Sequence, residues 1–216
     1  MSDVAERRAM KPIRNIIFDM GQVLRYFTPP LYVEQQGVAE EDRPLLLREI
    51  FQKVEWIQMD RGSLSIEDGI QIICERLPER LRDDAEAIIR GWWKKPMPVP
   101  GMAELMRELK ERGYGLYMLS NANQYLHTYV KDIPGSEYLD GKIVSADWGL
   151  LKPEREIFEK LTELFGLDLE ECVFIDDSAV NVEGGIRAGL QGIVFHDDVK
   201  ELREELRRMD VLVRLE

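Results

Sequence analysis

Five short apolar runs, with helical patterns between and after the later ones, narrow the fold of this chain more than any other feature. The runs are IRNIIFD (Ile13 to Asp19), YGLYMLS (Tyr114 to Ser120), KIVS (Lys142 to Ser145), CVFID (Cys172 to Asp176) and GIVF (Gly192 to Phe195). The helical patterns are GMAELMRELKERG, NQYLHTYVKDI, PEREIFEKLTELFG, VNVEGGIRAG and VKELREELRRMD. Strands separated by helices of this length predict an α/β fold: a Rossmann-like parallel sheet with helices on both faces. Pro153 is expected at the first position of its helix and Gly166 at its stop.

One segment interrupts the alternation. From about Thr28 to Pro98 no strand is predicted, only the helical runs PLYVEQQG, EEDRPLLLREIFQKV, IEDGIQIICERL and LRDDAEAIIRGWW. Ser65 with Asp68 forms a capping box at the third of these. The segment ends in the proline-rich KKPMPVPG. The expected organisation is an α/β core domain from residues 1–27 and 98–216, with a small helical cap domain, residues 28–97, inserted after the first strand. A chain of 216 residues, 44% hydrophobic, can bury a core of that size.

Charge and cysteine usage bound the partners. With 29 Lys and Arg against 41 Asp and Glu, the net charge of −12 argues against nucleic acid and anionic membranes. The N-terminal MSDVAERRAMKPIRN has no apolar core of signal-peptide length, and no run approaches the roughly 18 apolar residues of a membrane helix. Cys74 and Cys172 lack metal-ligand spacing, and Cys172 opens an apolar run as a core residue. A reduced, cytoplasmic protein is expected.

The polar residues of interest follow the strands. Asp19 ends the first, Ser120 and Asn121 the second, Asp176 and Asp177 the fourth, and Lys152 precedes a helix starting at the same edge. Singly, each has an ordinary explanation as a turn residue, a helix cap or a surface lysine. In an open parallel sheet, however, the C-terminal ends of the central strands border the ligand crevice. Three carboxylates sharing such a crevice call for a cation, and Mg²⁺ takes hard oxygen ligands while meeting a phosphate. Lys152 and Ser120 would then hold phosphate oxygens, and a carboxylate at phosphate distance can act as a nucleophile.

At these residues the chain resembles the haloacid dehalogenase (HAD) superfamily of hydrolases. FDMGQVL resembles its first motif, LSN the second, the lysine of LKPE the third and FIDDSAVN the fourth, and the likeness covers nearly the whole chain. The resemblance implies a Mg²⁺-dependent phosphomonoester hydrolase acting on a small phosphorylated metabolite through an aspartyl-phosphate on Asp19. Asp19 would be nucleophile and metal ligand, joined at the metal by the Gly21 backbone carbonyl, Asp177 and Asp176, the last directly or through water. Ser120 and the Asn121 backbone would bind phosphate, Lys152 would pair with both phosphate and nucleophile, and Asn181 would support the acidic pair.

Most phosphatases of the superfamily carry a second Asp two residues after the nucleophile, as proton donor to the leaving alcohol. Here that position is Gly21. General acid–base help is worth about 10²- to 10⁴-fold, so either another group supplies it or the leaving group needs less. The FDxGxV, SNxN and DDxxxN patterns are similar to those of bacterial α-D-glucose-1-phosphate phosphatases, whose more acidic anomeric leaving group suits a weak acid. Tyr26, His127 and Asp147 are candidate substitutes for the acid. Trp56, Met59 and Arg61 are candidate contacts from the cap, with helix packing as the plainer alternative. Tyr26 and Phe27 are expected at the hinge, and Trp92 and Trp93 in the cap core. EGGIRAG follows no strand, so it reads as close helix packing rather than a dinucleotide fingerprint. The alternatives in function are a 2-haloacid dehalogenase, which also lacks the second Asp but needs no metal, and a non-catalytic binding protein of the same fold.

Overall fold

A computed structural model describes residues 11–212. The first ten residues, which include most of the N-terminal stretch weighed above as a targeting signal, and the last four lie outside the described residues. Asn15–Phe18 form β1, the central strand of a five-stranded sheet. Gly115–Ser120 (β2) and Gly141–Val144 (β3) lie on one side, and Cys172–Asp176 (β4) and Gln191–Val194 (β5) on the other. The order is β3-β2-β1-β4-β5, and every pairing is parallel. Phe18 pairs with Met118 on one neighbour and Ile175 on the other, so the carboxyl ends of the three central strands are level. The chain builds outward from β1 in both directions, which makes the ends of β1 and β4 the switch point where such sheets bind ligands.

Both faces of the sheet are covered, which explains why the strands are continuous apolar runs. Met102–Glu111 (α6) and Val199–Arg208 (α10) share a cluster with Ile16, Phe18, Leu116 and Met118. Arg155–Phe165 (α8) packs Ile157, Phe158 and Leu161 against Ile17, Leu119 and Phe174. Ala179–Ala188 (α9) lies beside α8, where a side chain at Gly184 would meet the Pro153 carbonyl oxygen at 2.8 Å. That close approach accounts for Gly184 of EGGIRAG, whereas Gly189 ends the helix at φ +116°. Among the described residues, no helix is long and apolar enough to cross a membrane.

Between β1 and α6 the described residues contain no strand over 29–94. The helices there are Pro29–Gln35 (α1), Arg43–Phe51 (α2), Val54–Arg61 (α3), Ile66–Arg76 (α4) and Arg82–Gly91 (α5). Leu126–Tyr129 (α7) is one turn long and passes into 3₁₀ geometry, shorter than NQYLHTYVKDI suggested. Ser65 caps α4, its Oγ accepting from the Asp68 N–H at 3.0 Å. α3 was not among the helical runs predicted; its eight residues bury only Glu55, Trp56 and Met59, too few to give a clear period. Pro153 is not the first residue of α8. It follows a cis Lys152–Pro153 bond, and the helix starts at Arg155 after Glu154. Gly166 does end α8, in the left-handed conformation.

The helical segment leaves and rejoins the sheet through paired backbone. The Tyr26 N–H donates to the Met97 carbonyl at 2.8 Å, the Val99 N–H to the Leu24 carbonyl at 3.1 Å, and Arg25 bridges Pro98. One apolar cluster continues from the sheet through Met20 and Leu24 to Leu46, Ile50, Met59, Ile73 and Ile89.

Candidate active site

The ends of β1, β2 and β4 deliver their polar residues to one place. Asp19 follows β1, its N–H still donating to the Ile175 carbonyl of β4 at 2.8 Å, so the ladder itself fixes the carboxylate beside Asp176. One oxygen from each of Asp19, Asp176 and Asp177 lies within 4.8 Å of the others. The Lys152 Nζ donates to Asp19 Oδ1 at 2.7 Å and Asp176 Oδ2 at 2.6 Å. This lysine reaches the site because the Asn121 side chain grips its backbone at both ends: the Lys152 N–H donates to Asn121 Oδ1 at 2.8 Å, and Asn121 Nδ2 donates to the Lys152 carbonyl at 3.0 Å.

Asp176 is fully buried and its oxygens are occupied. Besides Lys152, it accepts from the Ser178 N–H at 2.8 Å and from Asn181 Nδ2 at 3.1 Å. Asp177, by contrast, opens on the adjoining cavity. Three carboxylates against one ammonium leave an excess of two negative charges. Burial pushes the Asp19 carboxyl up to about 7, with Asp176 adding to the rise and Lys152 opposing it. Burial, then Asp176, also raises Asp177. Burial works against the Lys152 ammonium, but Asp19 and Asp176 outweigh it and hold its pKa above the ordinary lysine value. A hard dication fits this donor set in both charge and ligand type.

A cavity of about 230 Å³ opens over these groups. Asp19, Gly21, Ser120, Asn121, Lys152, Asp177 and Asn181 all line it, and so does Trp56. The other expected contacts do not. Arg61 binds away from the cavity, to Glu154 and, at 3.0 Å, the Gly149 carbonyl, because α3 points its last turn at the loop before α8. The Tyr26 hydroxyl donates to Asp197 at 2.8 Å, and His127 pairs with Asp147 at 3.0 Å, so none of these three lines the cavity.

Among the lining residues not foreseen in this role are Arg25, Asp60, Asn123 and Ala122. Trp92, expected only in the cap core, is buried and also walls the cavity. Asp60 comes from the last turn of α3. Its carbonyl accepts from Ser145 Oγ, which also accepts from the Ala122 N–H at 2.9 Å, so α3 is tied to the end of β2. Burial pushes the Asp60 carboxyl well above the usual range, against hydrogen bonds from Asn123 and Trp56. Gly21 needs no glycine: a Cβ there would meet only Asp19 Oδ2, at 3.9 Å. An arginine in an apolar stretch, LRYF, was the one sequence signal for Arg25. Asp60, inside a charged helix, had none.

Residues 13–189 match the model of a hydrolase family, the haloacid dehalogenase-like hydrolases. The chain is 29% identical over 191 residues to a sesquiterpene phosphatase of Aspergillus oryzae, covering 87% of this chain and 92% of that one. It is 26% identical over 187 residues to the phosphoserine phosphatase of Methanocaldococcus jannaschii, covering 82% of each. A HAD family enzyme from Bacteroides thetaiotaomicron, solved with magnesium and inorganic phosphate, superposes with a TM-score of 0.68 at 22% identity, covering 88% of this chain and 98% of that one. The L-2-haloacid dehalogenase of Xanthobacter autotrophicus superposes with a TM-score of 0.65 at 15% identity, covering 91% and 82%. At these identities the solved structures speak for the fold alone.

Proposed function

This chain belongs to the haloacid dehalogenase-like hydrolases, and from that premise we propose that it is a phosphomonoester hydrolase using Asp19 as its nucleophile. The observation that carries the reading is Lys152, buried and bonded to both Asp19 and Asp176, with a third acid, Asp177, facing the same cavity. In this reading Asp19, Asp177 and the Gly21 carbonyl hold Mg²⁺, with Asp176, whose oxygens are already engaged, acting directly or through water. When bound, the ion offsets the carboxylates' charge and polarises the phosphoryl group.

The chain's own residues do the rest. Lys152 orients the Asp19 carboxylate and offers its ammonium to a phosphoryl oxygen, while Ser120 and the Asn121 backbone N–H donate to the others. The Asn121 side chain, spent on the Lys152 backbone, is a positioning group, and Asn181 positions Asp176. Asp19 attacks phosphorus, the leaving oxygen departs, and water later cleaves the aspartyl-phosphate to return the carboxylate. Gly21 offers no proton to the leaving oxygen. Asp60 is the one further carboxyl in the wall among the described residues, and its raised pKa equips it to hold a proton. Residues 28–97 act as a cap that closes the cavity over substrate.

Sugar 1-phosphates remain a substrate arm, because an anomeric leaving group tolerates a weak acid. Support for a phosphatase comes also from the relatives named as phosphatases. The test is phosphate release from a panel of sugar, alkyl and aryl phosphates, with Mg²⁺ and with chelator, beside Asp19→Asn. Release that needs Mg²⁺ and vanishes in the variant is expected. Chloride release from 2-haloacids without metal, with no phosphate release, would overturn the reading.

A further inference from the structure

The donors left over in the cavity wall share one character. Arg25 is fully buried and its Nε, Nη1 and Nη2 have no hydrogen-bond partner among the described residues. The indole nitrogen of Trp92, which lines the same cavity, is also buried without a partner. The guanidinium lies 5.2 Å from the ring centroids of both Trp92 and Tyr129. Two aromatic faces attract a cation but satisfy none of its N–H groups. Lys152, the other cation in the wall, is already paired with two carboxylates. The wall therefore holds one cation bonded to acceptors and one with no hydrogen-bonded acceptor, and every orphaned group in it is a donor. Buried donors are normally paired, and a lone buried charge is costly enough that an exception points to a missing acceptor.

We propose that Arg25 and the Trp92 indole nitrogen form a second oxyanion subsite, so that the substrate is a phosphomonoester carrying a carboxylate or a second phosphate on its leaving group. This rests on the phosphatase reading for the word phosphomonoester, but the subsite itself stands on the orphaned donors. Arg25 sits on the backbone ladder where the helical segment leaves and rejoins the sheet, bridging Pro98. Trp92 comes from the far end of that segment. An anion drawing both groups to itself therefore also draws the two ends of the segment together. A guanidinium fork suits either oxyanion, whereas a neutral sugar hydroxyl would leave its charge uncompensated.

Matched substrates test this directly. The carboxylate arm compares 2-phosphoglycolate with ethyl phosphate, and the phosphate arm compares glucose 1,6-bisphosphate with glucose 1-phosphate. At least a tenfold higher kcat/KM for the second-anion member is expected in one arm, and that arm identifies the anion. Arg25→Gln should bring the ratio to within about threefold of unity. Trp92→Phe, which keeps the ring and removes the donor, should lower it several-fold and covers the case in which Arg25→Gln fails to fold. Because the readout is a ratio within each protein, a general loss of activity cancels. Calorimetry with phosphonates bearing a carboxylate on a two- or three-carbon tether, against the matching alkylphosphonates, repeats the comparison without turnover. It separates failure of the subsite from failure of the phosphatase reading. Ratios near unity in wild type by both methods, or a ratio that survives both substitutions, overturn the inference.

Discussion

Gly21 is a glycine without a steric reason. Its backbone is not in the left-handed region, and a Cβ would touch only Asp19 Oδ2, at 3.9 Å. Gly21→Asp is therefore expected to fold normally and to raise kcat on unactivated alkyl phosphates by about 10- to 100-fold through general acid help. An aryl phosphate, whose leaving group needs no proton, should change little, and comparing the two in one preparation checks it. Asp19 carries a different prediction. Its folded pKa of about 7 exceeds the roughly 3.9 of an unfolded aspartate, so the folded state holds the extra proton between these values. Stability contributed by that proton is present below pH 4 and is lost as pH rises through 7. Asp19→Asn, measured in chelator, should thus melt a few degrees above wild type at pH 8, with the gain shrinking toward pH 5. These residues were legible because strand ends expose them in order. Arg25 and Asp60 were not, since a buried arginine and a helical aspartate look like ordinary neighbours until the segment folds over the sheet.

At the scale of elements, α3 decides what the cavity wall contains. Its Met59 and Trp56 pack inward, and its last turn brings Asp60 to the cavity. Gly62 ends the helix at φ +77°, where a Cβ would lie 2.2 Å from the Ala146 carbonyl oxygen. Gly62→Ala must therefore push α3 off the turn after β3. A loss of at least about 1–3 kcal/mol is expected from the left-handed backbone alone, with a rise in KM as Trp56 and Asp60 move; thermal melts and kinetics on one preparation check both. The strands of the sheet were readable from their apolar runs. α3 was not, because its few buried positions are set by the loop it lands on rather than by its own period.

Across the whole molecule, the site lies where the helical segment meets the sheet. Arg61 joins the two, binding Glu154 and the Gly149 carbonyl beside the Lys152 loop. Both ionic partners are about a third exposed, so Arg61→Ala should cost less than about 1 kcal/mol of stability. It should instead loosen closure, raising KM by about three- to tenfold with kcat nearly unchanged; a fall in kcat with KM constant would refute that role. Arg61 drew attention in the sequence, with Trp56 and Met59, as a candidate contact from the cap. The structure ties it instead to Glu154 and the Gly149 carbonyl, and places Arg25 beside Lys152 as the second cation in the wall.

The sequence by itself determined the parallel sheet, the helical segment after its first strand, and the strand-end residues Asp19, Ser120, Asp176 and Asp177 with Lys152. Strands buried on both faces must be apolar, so polar residues stand out where they fall at the strands' carboxyl ends. Only the tertiary structure decided which side chains complete the wall. Arg25, Asp60 and Trp92 meet Asp176 and Asp177 across 84 to 152 residues of chain, through packing that no local period encodes. The same packing turned Arg61, Tyr26 and His127 toward Glu154, Asp197 and Asp147, because each found a nearer opposite charge or acceptor outside the cavity.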